Sequence, residues 1–366
     1  MMPESLKTER QLIEQFLDTL RALPDVRAEL DQREPISLAG ESRYDAQINL
    51  RIAGKSITLL IEAKKAVYPR DVHQVLWQLG QFRRNASARP DFNEAISLLV
   101  AESISPGAKE LLRIERVGYY DSGGSLFLPA HGAYIYIEKP PPKTLSKTMG
   151  SLFSGRRAQV LHTLLAHHQD WFGGKELAEQ ALVSPATASQ VLTELERFEW
   201  MASRGQGPSK ERHLREPAAL LDAWAKQLVS IRPPALRRYY VPAMKANTLL
   251  EHISQVFETH EVGYAVSHEA AAQRYAPFLS SVSQVRCRVL LGSAADAAIG
   301  ELDARVVNDG PNFVIIEAKS PGELLFRERV GGTWLASPIQ VYLDLLRGEG
   351  RAKEMAAHLR RERIGF

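Results

Sequence analysis

Residues 44–65 read YDAQINLRIAGKSITLLIEAKK. Tyr44, Ala46, Ile48, Leu50 and Ile52 alternate with Asp45, Gln47, Asn49 and Arg51, the period of two expected of a half-buried strand. From Ser56 to Lys65 a second strand follows, with Ile57, Leu59, Ile61 and Ala63 on one face and Thr58, Leu60, Glu62 and Lys64 on the other. Gly54-Lys55 suits a two-residue hairpin turn, because glycine readily takes the positive φ that such a turn needs.

If Ala53 pairs with Ser56, Asp45 faces Lys64 and Gln47 faces Glu62. Asp45 and Glu62 are then diagonal neighbours on one face, with Cα atoms about 7–8 Å apart. A divalent cation between the two carboxylates would relieve their repulsion, and hard oxygen ligands suit Mg²⁺. Lys64 would then polarise a water or a phosphate oxygen. The plainer alternative is a solvated ion pair on the wet face of a hairpin. Against it, Leu59, Leu60 and Ile61 form a continuous apolar run, as in a strand covered on both faces, and charges at the end of a buried strand need a reason.

The chain has 366 residues, 45% of them hydrophobic and 24% charged, which is ample material for two or three globular domains. Its formal charge of +3 is too mild to imply nucleic-acid binding by itself, so local distribution must decide. Cys287 is the single cysteine, which excludes a disulfide framework and a cysteine-rich zinc site. No apolar run reaches the length of a membrane span, and the first residues read as a charged amphipathic helix rather than a signal peptide, so no membrane association and a cytoplasmic location are expected.

Ser5 to Ala22 is expected to be a helix, with Leu6, Leu12, Ile13, Phe16, Leu17 and Leu20 on one side and Glu9 near the centre of that side. An inward carboxylate is either paired or functional; equally, Glu9 sits one turn from a fraying end. Pro35 to Ala39 suggests a first strand ahead of the hairpin. Arg70 to Arg84 is expected to be a helix with Val72, Val75, Leu76, Leu79 and Phe82 inward and Gln74, Trp77, Gln78 and Gln81 on the other side. Ala95–Ala101 is a strand, Pro106–Ile114 a helix, and Val117–Ile137 holds short strands around Asp121-Ser-Gly-Gly. The order is α-β-β-β-α-β-α-β.

Asp45, followed 17 positions later by Glu62-Ala63-Lys64 on a hairpin between two helices, resembles the PD-(D/E)xK nuclease superfamily over roughly residues 1–138. The resemblance implies a nuclease-like α/β domain in which Asp45 and Glu62 are metal ligands with the Ala63 carbonyl as a third. It implies Mg²⁺ or Mn²⁺ as cofactor and Lys64 as the residue that orients or activates the attacking water. Glu9 matches the helical acid that some members contribute. Gln78-x-x-x-Phe82 is similar to a Gln-x-x-x-Tyr motif of some branches, with Phe in place of Tyr, and Tyr44 rather than Pro precedes the aspartate. Many proteins with this core bind without cleaving.

Residues 139–154 are a basic, proline-rich linker, in which Pro140–Pro142 favour extended geometry and Lys139, Lys143 and Lys147 supply charge. Residues 155–230 follow a winged helix-turn-helix plan. A helix from Arg156 to His168 and a short one from Gly174 to Ala181 precede a turn at Leu182–Ser184. Ser184 then caps a third helix that begins beside Pro185. On that helix Leu192, Leu195 and Phe198 point inward, leaving Thr187, Ser189, Gln190 and Thr193 for phosphates and base edges. Glu199 to Leu214 fits a β-wing whose glycine-rich tip carries Arg204, Lys210, Arg212 and Arg215, suited to backbone or minor-groove contact. An ordinary helical hairpin with a solvated loop is the alternative.

Residues 236–366 read as mixed α/β. Glu301-Leu-Asp303 and Glu317-Ala-Lys319 echo the first domain's acids, though no matching order of elements surrounds them. Ser337-Pro-Ile-Gln340-Val-Tyr342-Leu-Asp344, with Gly350-Arg351 and a terminal helix, resembles the C-terminal region of AbiEi-like antitoxins, over roughly residues 155–366. Those join a winged helix to a nucleotidyltransferase-like α/β domain, repress their own operon and imply a cognate toxin as partner. The whole is thus expected to be an α/β multi-domain protein. Two functions stand: a metal-dependent DNA endonuclease docked by a winged helix, or an antitoxin-type transcriptional regulator whose nuclease-like domain does not cleave. A palindromic site or double-strand cleavage calls for a homodimer.

Overall fold

In the computed structural model the described residues are 8–31, 44–52, 54–86, 95–130, 133–142, 145, 150–228, 232–242, 246–279 and 281–366. They form a mixed α/β chain of two compact units: Met1–Met149 with Glu194–Glu199, and Gly150–Thr193 with Trp200–Phe366. The break expected between residues 230 and 236 therefore does not separate compact units.

The first unit opens with helix α1, Glu9–Arg21. The Thr8 side chain accepts from the Gln11 amide and the Gln11 side chain returns the bond to the Thr8 amide, a capping box that sets the helix start. Leu12, Ile13, Phe16, Leu17 and Leu20 recur at helical spacing and are all buried. Strands β1 (Val26–Leu30), β2 (Ala46–Ile52) and β3 (Lys55–Val67) run antiparallel. The first strand thus lies earlier than expected, and the range 35–39 falls outside the described residues.

Parallel pairing of β3 with β4 (Ile96–Ile104), and of β4 with β5 (Gly118–Asp121), requires crossovers. Helices α2 (Pro69–Ala86) and α3 (Pro106–Ile114) supply them; each begins with a proline, and Ser105 caps α3. Strands β6 (Leu126–Ala130) and β7 (Ala133–Ile137) complete a seven-stranded sheet whose strands lie in sequence order. One face packs on α1 through Ile48, Leu50, Leu59, Ile61, Leu98 and Val100. The other packs Val72, Val75 and Leu79 of α2 and Ala108 and Leu112 of α3 on Leu99, Ala101 and Tyr119.

In the second unit, helices Gly155–Ala166, Gly174–Gln180 and Pro185–Arg197 accompany a three-stranded sheet, β8 (Trp171–Gly173), β10 (Glu211–Leu214) and β9 (Met201–Arg204), in the order β8-β10-β9. A helix, Pro217–Gln227, leads to a second seven-stranded sheet of order β14-β11-β15-β13-β12-β17-β16. Its strands are β11 (Leu236–Tyr240), β12 (Tyr264–Ser267), β13 (Val285–Leu290), β14 (Arg305–Val306), β15 (Phe313–Ala318), β16 (Glu328–Val330) and β17 (Thr333–Leu335). The helix Gly155–Ala166 is joined to this region directly. His162 Nε2 is hydrogen-bonded to Ser337 Oγ at 2.5 Å. Gly322 abuts Gln159 so closely that a Cβ there would collide with the glutamine amide. Among the described residues no helix is long and apolar enough to cross a membrane.

Candidate active site

The hairpin register differs from the expected one. Ile52 pairs with Lys55, Leu50 with Ile57, Ile48 with Leu59 and Ala46 with Ile61. The loop closes one residue early, with Gly54 at φ +77° in its second position; Ala53 lies outside the described residues. Gln47 consequently faces Leu60 rather than Glu62, and Asp45 lines up with Glu62 rather than Lys64. The shift is an even number of residues, so every side chain keeps its face. Hydrophobic alternation is blind to such a shift, and turn geometry settles it.

Asp45 stays tied to β3 at the end of β2. Its amide donates to the Ile61 carbonyl at 2.8 Å, and its Oδ2 accepts from the Ala63 amide at 2.7 Å. Within a strand the N–H and C=O of one residue point to the same edge. The Ala63 carbonyl is therefore directed to the edge where Asp45 stands. Glu62 and Lys64 sit beside Leu99 and Ala101 of β4, on the face covered by α2 and α3. Glu62 is 5% exposed. Lys64 Nζ lies 2.6 Å from Glu62 Oε1 and remains partly open to solvent.

Burial pushes the Glu62 carboxyl above the ordinary range; the bond from Lys64 opposes this, while the negative charges of Asp45 and Glu9 add to it. Asp45 from the hairpin and Glu9 from α1 thus both act on Glu62. Glu9 does so from the first turn of α1: it shares the side of Leu12, Ile13 and Phe16 but is exposed, because the helix starts at that residue and no preceding turn covers it. Gln78, on α2, is half-buried, and its Oε1 is enclosed with no hydrogen-bond partner among the described residues. The side chains of Gln81 and Phe82 lie outside the description.

The donor set fits a hard divalent cation: carboxylates from Asp45 and Glu62 with a carbonyl directed to the same edge. Among the described residues, no group of three or more His, Cys, Asp or Glu side chains is placed to hold a metal. Water and substrate oxygens would have to complete the shell, as is usual for Mg²⁺.

On helix Pro185–Arg197, Ala188, Val191, Leu192 and Leu195 are buried, and Ser189, Gln190 and Thr193 are exposed. Thr187 is half-buried, its amide donating to the Ser184 hydroxyl at 3.2 Å. Gln190 accepts from Arg157 at 3.0 Å, and Thr193 donates back to the Ser189 carbonyl. Strands β9 and β10 pair from Met201–Leu214 to Arg204–Glu211, so the expected wing is a hairpin. Arg204 bonds Glu211 at 2.6 Å and stacks 4.3 Å over the Trp171 ring, which holds it in place on the hairpin. Lys210 and Arg212 are half-buried at its far end, and Arg215, which follows β10, is exposed and bonds Glu216.

Asp303 and Glu317 are not brought together. Strand β11 lies between β14 and β15, Asp303 bonds Arg305, and Glu317 accepts from Arg237 at 2.7 Å. The second sheet instead carries a buried ionic cluster. Arg288 donates to both carboxylate oxygens of Asp344, at 3.0 and 2.6 Å, and Ser267 and Gln340 add bonds to the same carboxylate. Burial alone would raise Asp344, yet Arg288 holds it down to about 2. The sequence VRCRVL of β13 signals this only weakly, since alternating arginines there read as a polar face.

No family model matches the chain, and neither curated proteins nor solved structures show a significant match to it.

Proposed function

We propose that the chain is a DNA-binding protein whose first unit hydrolyses phosphodiesters with Mg²⁺ or Mn²⁺ held by Asp45, Glu62 and the Ala63 carbonyl. The observation that carries this reading is the placement of Glu62, buried and raised by Asp45 and Glu9, against the ammonium of Lys64 at a strand end. A buried carboxylate that two further acids push toward its neutral form gains most from a cation. The order α1-β1-β2-β3-α2-β4 around it supports a PD-(D/E)xK-like core.

When bound, the cation would withdraw charge from the scissile phosphate and acidify a water. Lys64, with three donors, would turn from Glu62 to orient that water or neutralise a phosphate oxygen. The Asp45–Ala63 bond fixes the first carboxylate against the second strand. The Gln78 amide oxygen, enclosed on α2 and without a hydrogen-bond partner among the described residues, is a further acceptor in the same unit. In the second unit, the three helices and the β9–β10 hairpin support a winged-helix reading, with Ser189, Gln190, Thr193 and the hairpin cations toward DNA. The nucleotidyltransferase-like reading of the second sheet belongs to the same proposal, as does a cytoplasmic homodimer.

A second reading rests on the same ion pair. The Lys64–Glu62 contact also suits a core that keeps its charges and does not cleave. The chain would then be an antitoxin-type repressor, with a cognate toxin as its protein partner. Incubation of the full chain with plasmid and oligonucleotides in Mg²⁺, Mn²⁺ or EDTA separates the two. Metal-dependent cleavage supports the nuclease; sequence-specific binding with no cleavage in either metal refutes it and leaves the repressor.

A further inference from the structure

Far along the chain, the helix Pro338–Leu345 and the terminal segment 352–366 line an open cavity of about 460 Å³ that neither functional reading uses. Its apolar lining comes from Tyr342, Leu346, Ala357 and Phe366. Its cations are Lys353, Arg360 and Arg361, and no carboxylate side chain lines it.

The three cations are committed to different degrees. Arg360 gives Nε to the Phe366 carbonyl at 2.6 Å and Nη1 to Asp222 and the Tyr342 hydroxyl, while Nη2 makes no hydrogen bond among the described residues. Arg361 reaches Glu362 and His358 from an exposed position. Lys353 is exposed and has no hydrogen-bond or ion-pair partner among the described residues. A cavity of this size lies in the range of small-molecule sites, which are mostly apolar with a few placed polar groups. An apolar lining favours a flat hydrophobic body, and an excess of cations favours negative charge on the ligand. The left-handed Gly365, φ +87°, precedes Phe366, whose ring meets that of His168 edge-on at 4.8 Å.

We infer that this cavity binds a small organic anion, with its flat apolar body on Tyr342, Leu346 and Phe366 and its charged group between Lys353 and Arg361. The test is calorimetric titration of the full chain with three probes: 2-naphthoate, its neutral isostere 2-naphthamide, and acetate. With two charge-assisted contacts at stake, 2-naphthoate should bind at least about ten-fold more tightly than either of the others. The double variant Lys353→Gln, Arg361→Gln, both at exposed positions, should erase the advantage over 2-naphthamide. Ala357→Trp, exposed on the helix Ala352–Leu359 and lining the cavity, should block 2-naphthoate while leaving thermal unfolding unchanged. Equal binding of acid and amide, no binding of 2-naphthoate, or its undiminished binding to Ala357→Trp would each overturn the inference.

Discussion

Lys64 Nζ stands 2.6 Å from Glu62 Oε1, two residues apart on one face of β3, with Asp45 held alongside by the Ala63 amide. The proposed chemistry needs all three groups, but they differ in exposure, and this makes the variants informative. Asp45 is exposed, so Asp45→Ala removes a ligand without opening the core, though it also takes the acceptor from the Ala63 amide. Asp45→Ala and Lys64→Ala should each abolish metal-dependent cleavage while changing DNA affinity by no more than a few-fold. Gel-based cleavage beside a binding titration checks this; cleavage retained by both variants would sink the site.

Stability should carry the mark of Glu62. Its folded-state pKa lies above the unfolded value of 4.5, so the native state binds more protons between the two values. The carboxyl therefore costs stability progressively as pH rises from 4.5 through the raised pKa, and the loss is complete above it. Denaturant unfolding of wild type and Glu62→Gln across pH 4 to 8 should show this descending slope in the wild type and its absence in the variant.

His162 titrates in the opposite sense. Burial beside Arg288 holds its pKa down to about 4, against an unfolded value of 6.5. The unfolded chain then binds the extra proton, so stability is lost as pH falls from about 6.5 toward 4. A depression of this size corresponds to about 3 kcal/mol. Replacement by Gln, which keeps a partner for Ser337, should flatten the dependence when unfolding of the second unit is followed by tryptophan fluorescence.

The Arg288–Asp344 pair predicts a non-additive result. Asp344→Leu leaves the buried guanidinium with the more distant Glu323, at 3.6 Å, in place of a bidentate partner and should cost about 3–5 kcal/mol. Arg288→Met combined with Asp344→Leu removes both charges and should cost much less than the sum of the single changes. Chemical denaturation in a double-mutant cycle measures it, and strict additivity would contradict the buried-pair account.

If the β9–β10 hairpin meets phosphate, each cation lost should reduce the dependence of log K on log salt by about 0.9. Lys210→Ala and Arg215→Ala each remove one cation of the hairpin region. Unchanged salt slopes in fluorescence-anisotropy titrations would remove the hairpin from the interface.

Much of the first unit was legible in its residues. The alternation through 46–52 and 57–63 specifies strands and their buried face, because side-chain direction in a strand is local. Pro69 and Pro106, each opening a helix between strands, mark the two crossovers. The Asp45, Glu62 and Lys64 grouping follows from the same parity. Glu9 keeps the expected angular position beside Leu12, Ile13 and Phe16 yet is exposed, because angular position says nothing about where the helix begins; the Thr8–Gln11 cap decides that.

What the sequence determined by itself was therefore face and order: which side chains look inward, and which elements follow which. The three-dimensional arrangement alone decided pairing and burial. It set Asp45 in line with Glu62 through a loop closed one residue early. It sank Arg288 onto Asp344, 56 residues further along. Local alternation is set by backbone geometry within a few residues, whereas register and the burial of a charge depend on which distant segment arrives to cover it.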